Sequence, residues 1–586
     1  MAALAYDIEC YKNYFLVMFK NIENNKVRFF ELRKGGVFDT ASVIKIVKKY
    51  QLIGFNNNNY DWVVLRAALC GYDNSVLKEI TDKIISGTKY WDIEKEYRLP
   101  VLKTDQIDIM EVAKGRASLK MYGARIGVNK IQDLPYPPNM VLSIKEQDNV
   151  RLYCENDLDL TISLFNFLRP QLELRDRISA QYQVDVRSKS DAQIAEAIFK
   201  QELSKLSMNV KKPNFPKNYS FFYSPPSNIE FDNADLRNLL EEIKTIRFGL
   251  VDGGIELPEK LVAKKIIIGD SEYKLGIGGL HSRESSIAYT GPHIIEDRDV
   301  ASYYPNIILN NKYYPKHIGA AFQNIYKNIV DLRLKAKHNG QKVLSETYKI
   351  VLNGAYGKFG SKWSFLYSPD LLIHTTLTGQ LSLLMLIEKL EQNGIKIYSA
   401  NTDGIVLLYP KELIETKEAI IKDWEKLTNF ETEGTFYRAI YSRDVNNYIA
   451  IKNDDAKAKG VYSPEVFLDK NTNNKICSKA IIDYLAFGIP VEETITSCTD
   501  ILKFVSVRKV EGGGEKAGVY LGKVVRWYQS NTEKTPIRYC KNGNKVPESD
   551  NSRACMVIPS VFPDDIDYAF YINKAKKNIL KIGGKV

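Results

Sequence analysis

Three short segments decide the fold of this chain: Asp299-Val-Ala-Ser-Tyr-Tyr-Pro305, Lys349-Ile-Val-Leu-Asn-Gly-Ala-Tyr-Gly357 and Tyr398-Ser-Ala-Asn-Thr-Asp-Gly404. The first follows the run His293-Ile-Ile-Glu-Asp-Arg, which predicts a strand that ends at Asp299. The third lies between Ile395-Lys-Ile-Tyr and Ile405-Val-Leu-Leu-Tyr, two apolar runs around a polar turn that are typical of a hairpin. Asp403 would therefore stand at the hairpin tip, where metal ions and water can reach it.

The middle segment belongs to a helical pattern. Lys349 begins one stretch that looks helical, and Arg333 lies on the preceding one. The sequence His338-Asn-Gly between them is a turn signal, so we predict two helices joined by a short turn. Basic residues on their facing sides would bind a polyanion. For Lys335 and Lys337, an exposed position without a function is an equally good interpretation.

Taken in order, the three segments resemble motifs A, B and C of family B DNA polymerases, in the form used by phages and related elements. The matching residues are Asp299, Ser302, Tyr303, Tyr304 and Pro305 in motif A, Lys349, Asn353, Tyr356 and Gly357 in motif B, and Tyr398, Thr402 and Asp403 in motif C. The chain departs from motif C at two positions. Asn401 replaces the first aspartate of that motif, and Gly404 replaces its serine.

This resemblance implies that the chain adds nucleotides to a primer by in-line phosphoryl transfer. Two Mg²⁺ ions, or Mn²⁺ in their place, would activate the primer 3′-oxygen and stabilise the pyrophosphate. Asp299 and Asp403 would hold these ions. Tyr304 would lie beneath the sugar of the dNTP and exclude a ribose, although a tyrosine in the core is the alternative. The other nucleotide-binding residues that the resemblance implies are Ser302, Tyr303, Arg333, Lys349, Asn353 and Tyr356.

A second set of carboxylates lies in the N-terminal third. Asp7 and Glu9 share one face of a predicted strand because strand side chains alternate. The segment Asn57-Asn-Asn-Tyr-Asp61 follows an apolar run, and Tyr153 precedes Asp157 by one helical turn. This order resembles the Exo I, Exo II and Exo III motifs of proofreading 3′–5′ exonucleases. The roles that it implies are metal binding by Asp7, Glu9, Asp61 and Asp157, orientation of water by Tyr153, and contact with the primer end by Asn57 and Tyr60.

Composition is compatible with these roles. The 586 residues exceed one ordinary core, and 44% of them are hydrophobic, so we expect several globular subdomains. The net charge of +11 suits a groove that binds phosphates in a salt-dependent way. Seven cysteines without a Cys-x-x-Cys pair predict neither a zinc site nor a disulfide framework. We expect no apolar run long enough for a membrane span, no signal peptide, and a location in the cytoplasm, that of the host if the protein is viral.

The expected fold class is a multidomain α/β protein, in which a ribonuclease H-like exonuclease domain precedes a right-hand polymerase with palm, short two-helix fingers and thumb. The boundaries that we predict are 1–185 for the exonuclease domain, 186–290 for a connecting, template-side region, 291–325 and 361–465 for the palm, 326–360 for the fingers and 466–586 for the thumb.

Three further segments predict contacts with DNA. Gly278, Gly279 and His281 resemble the Gly-Gly loop that touches the template between the two modules, and a plain turn is the alternative. Lys459 resembles a primer-contacting lysine after motif C. Arg526 could contact the primer backbone, and packing of an amphipathic strand explains it almost equally well.

The spacing of the motifs suggests how the chain is primed. Protein-primed polymerases of this family carry long insertions between motifs A and B and between B and C, and this chain has little room for either. We therefore expect an ordinary nucleic-acid primer, and a processivity that is low or depends on a partner. The expected substrates are primer–template DNA and dNTPs, the candidate partners are a processivity factor or a single-strand-binding protein, and we expect the protein to be a monomer. Two alternatives stay open: an exonuclease with a degenerate polymerase half, suggested by Asn401, and a non-catalytic DNA-binding scaffold.

Overall fold

A five-stranded sheet with helices on both sides forms the N-terminal part of the chain. The computed structural model describes residues 2–586. In this sheet the strand order is β3-β2-β1-β4-β5, with β1–β3 antiparallel and β4 and β5 parallel to β1. The elements are β1 Ala3–Tyr11, β2 Tyr14–Asn21, β3 Val27–Arg33, α1 Thr40–Lys49, β4 Gln51–Gly54, α2 Asp61–Leu69, α3 Asn74–Ile85, α4 Tyr90–Glu96, β5 Gln106–Asp108, α5 Ile109–Val112, α6 Leu119–Ile126, α7 Ile144–Phe167, α8 Arg169–Tyr182 and α9 Asp191–Lys205.

A seven-stranded sheet occupies the middle of the chain, in the order β16-β13-β15-β14-β11-β10-β9, and β6, β7 and β8 form a small sheet beside it. The elements are β6 Ser220–Phe222, α10 Ala234–Thr245, β7 Arg247–Val251, β8 Gly254–Ile255, α11 Glu259–Val262, β9 Ile266–Ile268, β10 Ser271–Gly276, β11 Gly279–Ser282, β12 Ile287–Tyr289, β13 Ile294–Val300, α12 Tyr303–Asn310, α13 Ala320–His338, α14 Lys342–Phe359, α15 Pro369–Gln392, β14 Lys396–Asn401, β15 Gly404–Tyr409, α16 Ile414–Thr428 and β16 Thr432–Tyr437.

Two four-stranded sheets and three helices complete the chain. The strand orders are β12-β17-β18-β19 and β22-β20-β21-β23. The elements are β17 Ala439–Asp444, β18 Asn447–Ile451, β19 Ala456–Ala458, α17 Lys475–Phe487, α18 Val491–Thr496, β20 Ser506–Lys516, β21 Val519–Gln529, β22 Arg538–Tyr539, β23 Ser552–Ala554 and α19 Tyr568–Lys581.

Helix α15 is the central core element behind the seven-stranded sheet. Between residues 2 and 586 it is the one helix with the length and composition of a membrane span, contrary to our expectation that no segment would qualify. However, 89% of its most apolar stretch is buried inside the protein. Burial against other protein elements accounts for its apolar side chains, because a helix that is hydrophobic on all sides is typical of a large core.

The seven-stranded sheet also includes part of the region 186–290 that we predicted as a connecting, template-side region. Strands β9, β10 and β11 of this sheet lie in that region. Helix α13 begins at Ala320, six residues before the predicted start of the fingers. Helix α9 packs behind the α13–α14 pair, where Phe199 stacks on Phe322 at 5.0 Å and Glu196 pairs with Lys358 at 2.9 Å.

The C-terminal sheet is fastened to the N-terminal part through Arg526. This residue on β21 is fully buried, and its guanidinium donates to the carbonyl oxygens of Cys555, Val128 and Asn129 at 2.7, 2.7 and 3.1 Å. Such a side chain has no face left for a phosphate. This burial favours the alternative that we kept, packing within the strand, over the predicted primer contact of Arg526.

Candidate active sites

One cleft of about 870 Å³ separates the seven-stranded sheet from helices α13 and α14. Residues from all three motif segments line it. Those that we predicted for this site are Asp299, Ser302, Tyr303, Tyr304, Arg333, Lys349, Asn353, Tyr356, Asp403 and Lys459.

Strand β13 and the β14–β15 hairpin bring two carboxylates to the floor of this cleft. The predicted hairpin is confirmed, and Asp403 lies in its turn. Asp299 pairs with Gly404 across the sheet, and the amide of Val300 donates to the Asp403 carbonyl at 2.7 Å. A Cβ at Gly404 would collide with the Asp299 carboxylate, which explains glycine at this position.

The pKa values of both carboxylates are raised. Burial in the cleft raises the pKa of Asp299 to about 6, and the negative charges of Asp297 and Asp403 add to the rise. Burial also raises the pKa of Asp403, and the cation of Lys349 opposes this shift. Crowded carboxylates of this kind favour a bound divalent cation, which would relieve their repulsion.

The opposite wall of the cleft is basic. Arg333 on α13 donates to the Ser302 hydroxyl at 2.7 Å, and Lys337, one turn later, forms an ion pair with Glu433 on β16. Lys349 lies on α14 with 46% of its side chain exposed. Helix α12 begins at Tyr303, so its first-turn amides, which lack partners within the helix, lie at the same cleft.

Two stacked tyrosines form one end of the cleft. The Tyr304 and Tyr356 rings lie 4.3 Å apart and 16° from parallel. The Tyr304 hydroxyl donates to the Gly278 carbonyl at 2.7 Å, which fixes the ring. The Tyr303 ring, by contrast, is buried in the core and its hydroxyl donates to the Gly379 carbonyl. Only the main chain of Tyr303 can therefore contact a nucleotide, contrary to a role for its side chain.

The Gly278–Gly279 segment is the tight turn between β10 and β11 and lies beside motif C. Thr402 donates its amide to the Leu280 carbonyl at 2.8 Å, and His281 pairs with Asn401 across the sheet. Gly279 has φ +143°, and a Cβ there would lie 2.9 Å from the Thr402 side chain. The segment is therefore a turn that supports the Asp403 turn, and its contact with the template stays a prediction.

An ion pair that we did not predict lies beneath Asp299. Asp297 accepts hydrogen bonds from Lys457 at 2.9 Å and from the Tyr437 hydroxyl at 3.0 Å. Burial opposes the charge on Lys457, but the pair with Asp297 outweighs it and raises the pKa of this lysine. Strand alternation could have predicted that Asp297 shares a face with Asp299, whereas nothing local identifies Lys457 as its partner.

A second acidic centre lies at the central strand of the N-terminal sheet. Asp7 and Glu9 on β1 and the thiol of Cys154 on α7 present ligand atoms within 4.8 Å of one another. Asp61 begins α2, and its carboxylate accepts from the Ile8 amide at 3.3 Å. Asp157 on α7 completes the group, and its Oδ1 is buried without a hydrogen-bond partner.

The electrostatics of this second centre suit cations. Burial raises the pKa of Asp7, Glu9 and Asp157, and it raises the pKa of Asp61 to about 7. The neighbouring carboxylates add to the shifts of Asp7 and Glu9. The clustered oxygens and the unpaired Asp157 oxygen therefore fit divalent metal ions, which bind carboxylates and lower such pKa values.

The residues around this centre differ in two ways from those that we predicted. Lys120 on α6 contacts the Tyr153 hydroxyl and lies 3.7 Å from the Asp157 carboxylate; no sequence pattern identified it. Asn57 is fully buried and donates to Gln106 at 3.2 Å, which does not favour its predicted contact with the primer end. Tyr60 packs against the apolar core behind α2.

Comparisons with known proteins find similarities to DNA polymerases. No protein-family model matches the chain. A segment of 115 residues is 28% identical to DNA polymerase 1 of Saccharolobus solfataricus; it covers 19% of this chain and 13% of the length of that protein. The family B DNA polymerase of Pyrobaculum calidifontis aligns with 100% of this chain and 78% of its own, at 13% identity and a TM-score of 0.42, too low to carry an argument.

Proposed function

We propose that this protein is a DNA-directed DNA polymerase that extends a primer with dNTPs and that its N-terminal domain degrades the primer from its 3′ end. One observation carries the proposal. Asp299 on β13 and Asp403 in the adjoining β14–β15 turn face Arg333 and Lys349 on two helices across a single cleft. This arrangement places cations for a triphosphate opposite carboxylates for metal ions.

In this proposal each wall of the cleft has its own task. Asp299 and Asp403 hold two Mg²⁺, which supply Lewis-acid chemistry for the transfer when bound. Arg333 and Lys349, with the first-turn amides of α12, bind and orient the triphosphate. Tyr304 is held by Gly278 and by its stack on Tyr356, so a 2′-hydroxyl would meet a ring that cannot move away.

The second centre would remove misplaced nucleotides. Asp7, Glu9, Asp61 and Asp157 hold divalent metals for hydrolysis of a phosphodiester. Tyr153 orients the attacking water through its hydroxyl, and Lys120 fixes that hydroxyl from the other side. The close spacing of the polymerase motifs supports nucleic-acid priming, and the resemblance to compact polymerases supports replication of a phage or mobile-element genome.

One gel tests both activities. A 5′-labelled primer on a longer template is incubated with Mg²⁺, with and without dNTPs. We expect extension with dNTPs, shortening without them, and neither after chelation of the metal. Asp403→Asn should lose extension alone, and the double change Asp7→Asn with Glu9→Gln should lose shortening alone. Shortening without extension by the unaltered protein would favour the degenerate-polymerase alternative, and binding of DNA without either reaction would favour the scaffold.

A further inference from the structure

An exposed tryptophan stands at the outer end of the helix that carries motif B. The Trp363 indole is 77% exposed, although an indole gains much from burial. Two ammonium groups lie near its ring, those of Lys212 at 5.0 Å and Lys362 at 5.5 Å from the centroid. Lys362 also donates to the Asp252 carbonyl at 2.7 Å.

The surface around Trp363 is basic and firmly supported. Residues 211–217 and 361–364 contain lysines but no carboxylate. Phe215 packs edge-on against Tyr367 at 5.4 Å, and the Tyr367 hydroxyl donates to the Gly253 carbonyl at 3.0 Å. An exposed aromatic face flanked by two lysines is suited to a nucleic-acid strand rather than to an apolar protein surface.

Helix α14 connects this surface to the polymerase cleft. Helix α14 presents Lys349, Asn353 and Tyr356 to the cleft and ends at Phe359, about 15 Å beyond Lys349. Trp363 follows four residues later, and its neighbour Lys362 contacts the β7–β8 turn at the Asp252 carbonyl. The cleft lysine Lys459, in contrast, follows β19 at the sheet β12-β17-β18-β19. Trp363 and Lys459 therefore lie on different elements of the structure.

We propose that Trp363 and its flanking lysines form a stacking platform for the unpaired template strand ahead of the cleft. This inference rests on the proposed polymerase function. A base stacks on the indole while the flexible ammonium groups of Lys212 and Lys362 move to the neighbouring phosphates. Because every base has a π face, such a platform accepts any template sequence.

Equilibrium binding tests the platform. A primer–template with a single-stranded 5′ template overhang is compared with a blunt duplex of the same paired length, in EDTA so that neither centre reacts. We expect Trp363→Ala to weaken binding of the overhang substrate at least about fivefold and to leave the blunt duplex nearly unchanged, because one stack is worth about 5- to 150-fold. Trp363→Phe should retain most of the affinity, because a ring remains.

Trp91→Ala is the matched control, since Trp91 is 54% exposed but lies on α4 beside Asp92 and Glu94. We expect this variant to bind both substrates normally, and all variants to melt like the unaltered protein. Equal losses on both substrates, or no loss on the overhang, would overturn the platform. If the unaltered protein extends a primer but Trp363→Ala binds the overhang substrate with normal affinity, only the platform is refuted. If the unaltered protein does not extend a primer, the proposed polymerase function is refuted.

Discussion

Replacing Gly279 by alanine should impair primer extension without affecting degradation. The added Cβ would lie 2.9 Å from Thr402 Cγ2 and 3.0 Å from Thr402 Cα, whereas carbon atoms in contact prefer about 3.5–4.0 Å. Thr402 must therefore move by roughly 0.5–1 Å, and Asp403 follows it in the chain. A misplacement of about 1 Å can cost about 10²-fold in rate, so we expect extension to slow by about 10- to 100-fold.

The control for this change is the neighbouring glycine. An added Cβ at Gly278 has no atom within 4 Å, and its carbonyl still accepts the Tyr304 hydroxyl. Addition of one nucleotide to a 5′-labelled primer is followed in single turnover, with Asp7→Asn in each variant to prevent degradation. Degradation by Gly279→Ala alone reports whether that protein is folded. Equal extension rates for Gly279→Ala and Gly278→Ala would refute the idea that β11 fixes the Asp403 turn.

Three further changes test other parts of the structure. Tyr304→Val should reduce the preference for dNTPs over ribonucleotides, measured as a ratio of kcat/KM values. An unchanged ratio would show that Tyr304 does not exclude the ribose. Lys457→Met should destabilise the protein by about 3 kcal/mol, because the Asp297 side chain, 9% exposed, loses its cation. Adding Asp297→Asn to the Lys457→Met variant should restore part of the lost melting temperature, and no recovery would contradict the pairing of Asp297 with Lys457. Arg526→Met should lower the melting temperature but leave DNA affinity at fixed salt unchanged; weaker DNA binding would reinstate the predicted contact.

Local sequence patterns predicted the elements of the cleft well. The apolar runs on either side of Asn401-Thr-Asp-Gly404 predicted the hairpin, and His338-Asn-Gly marked the break between α13 and α14. These features depend on neighbouring residues, because a turn and the strands or helices it joins are encoded within a few positions.

Features that depend on distant partners could not be predicted in the same way. The segment Gly278-Gly-Leu-His281 indicates a turn but does not say that His281 pairs with Asn401. The pattern around Arg526 is compatible with either a DNA contact or burial, and only the carbonyls of Val128 and Asn129, brought from the N-terminal part of the chain, decide between them. An arginine becomes a core residue only where such acceptors surround it.

The structure also bears on Asn401, the residue that suggested a degenerate polymerase. Its amide donates to Asn446 at 3.4 Å and its oxygen accepts from the Thr402 hydroxyl at 3.2 Å, so the side chain is engaged within the hairpin region. Asp297 and Asp403 already raise the pKa of Asp299, and a carboxylate at position 401 would add a further negative charge to this crowded floor. Because two carboxylates suffice for Mg²⁺ bound together with substrate phosphates, an amide here is compatible with an active metal site. Asn401 therefore gives little reason to regard the polymerase half as inactive.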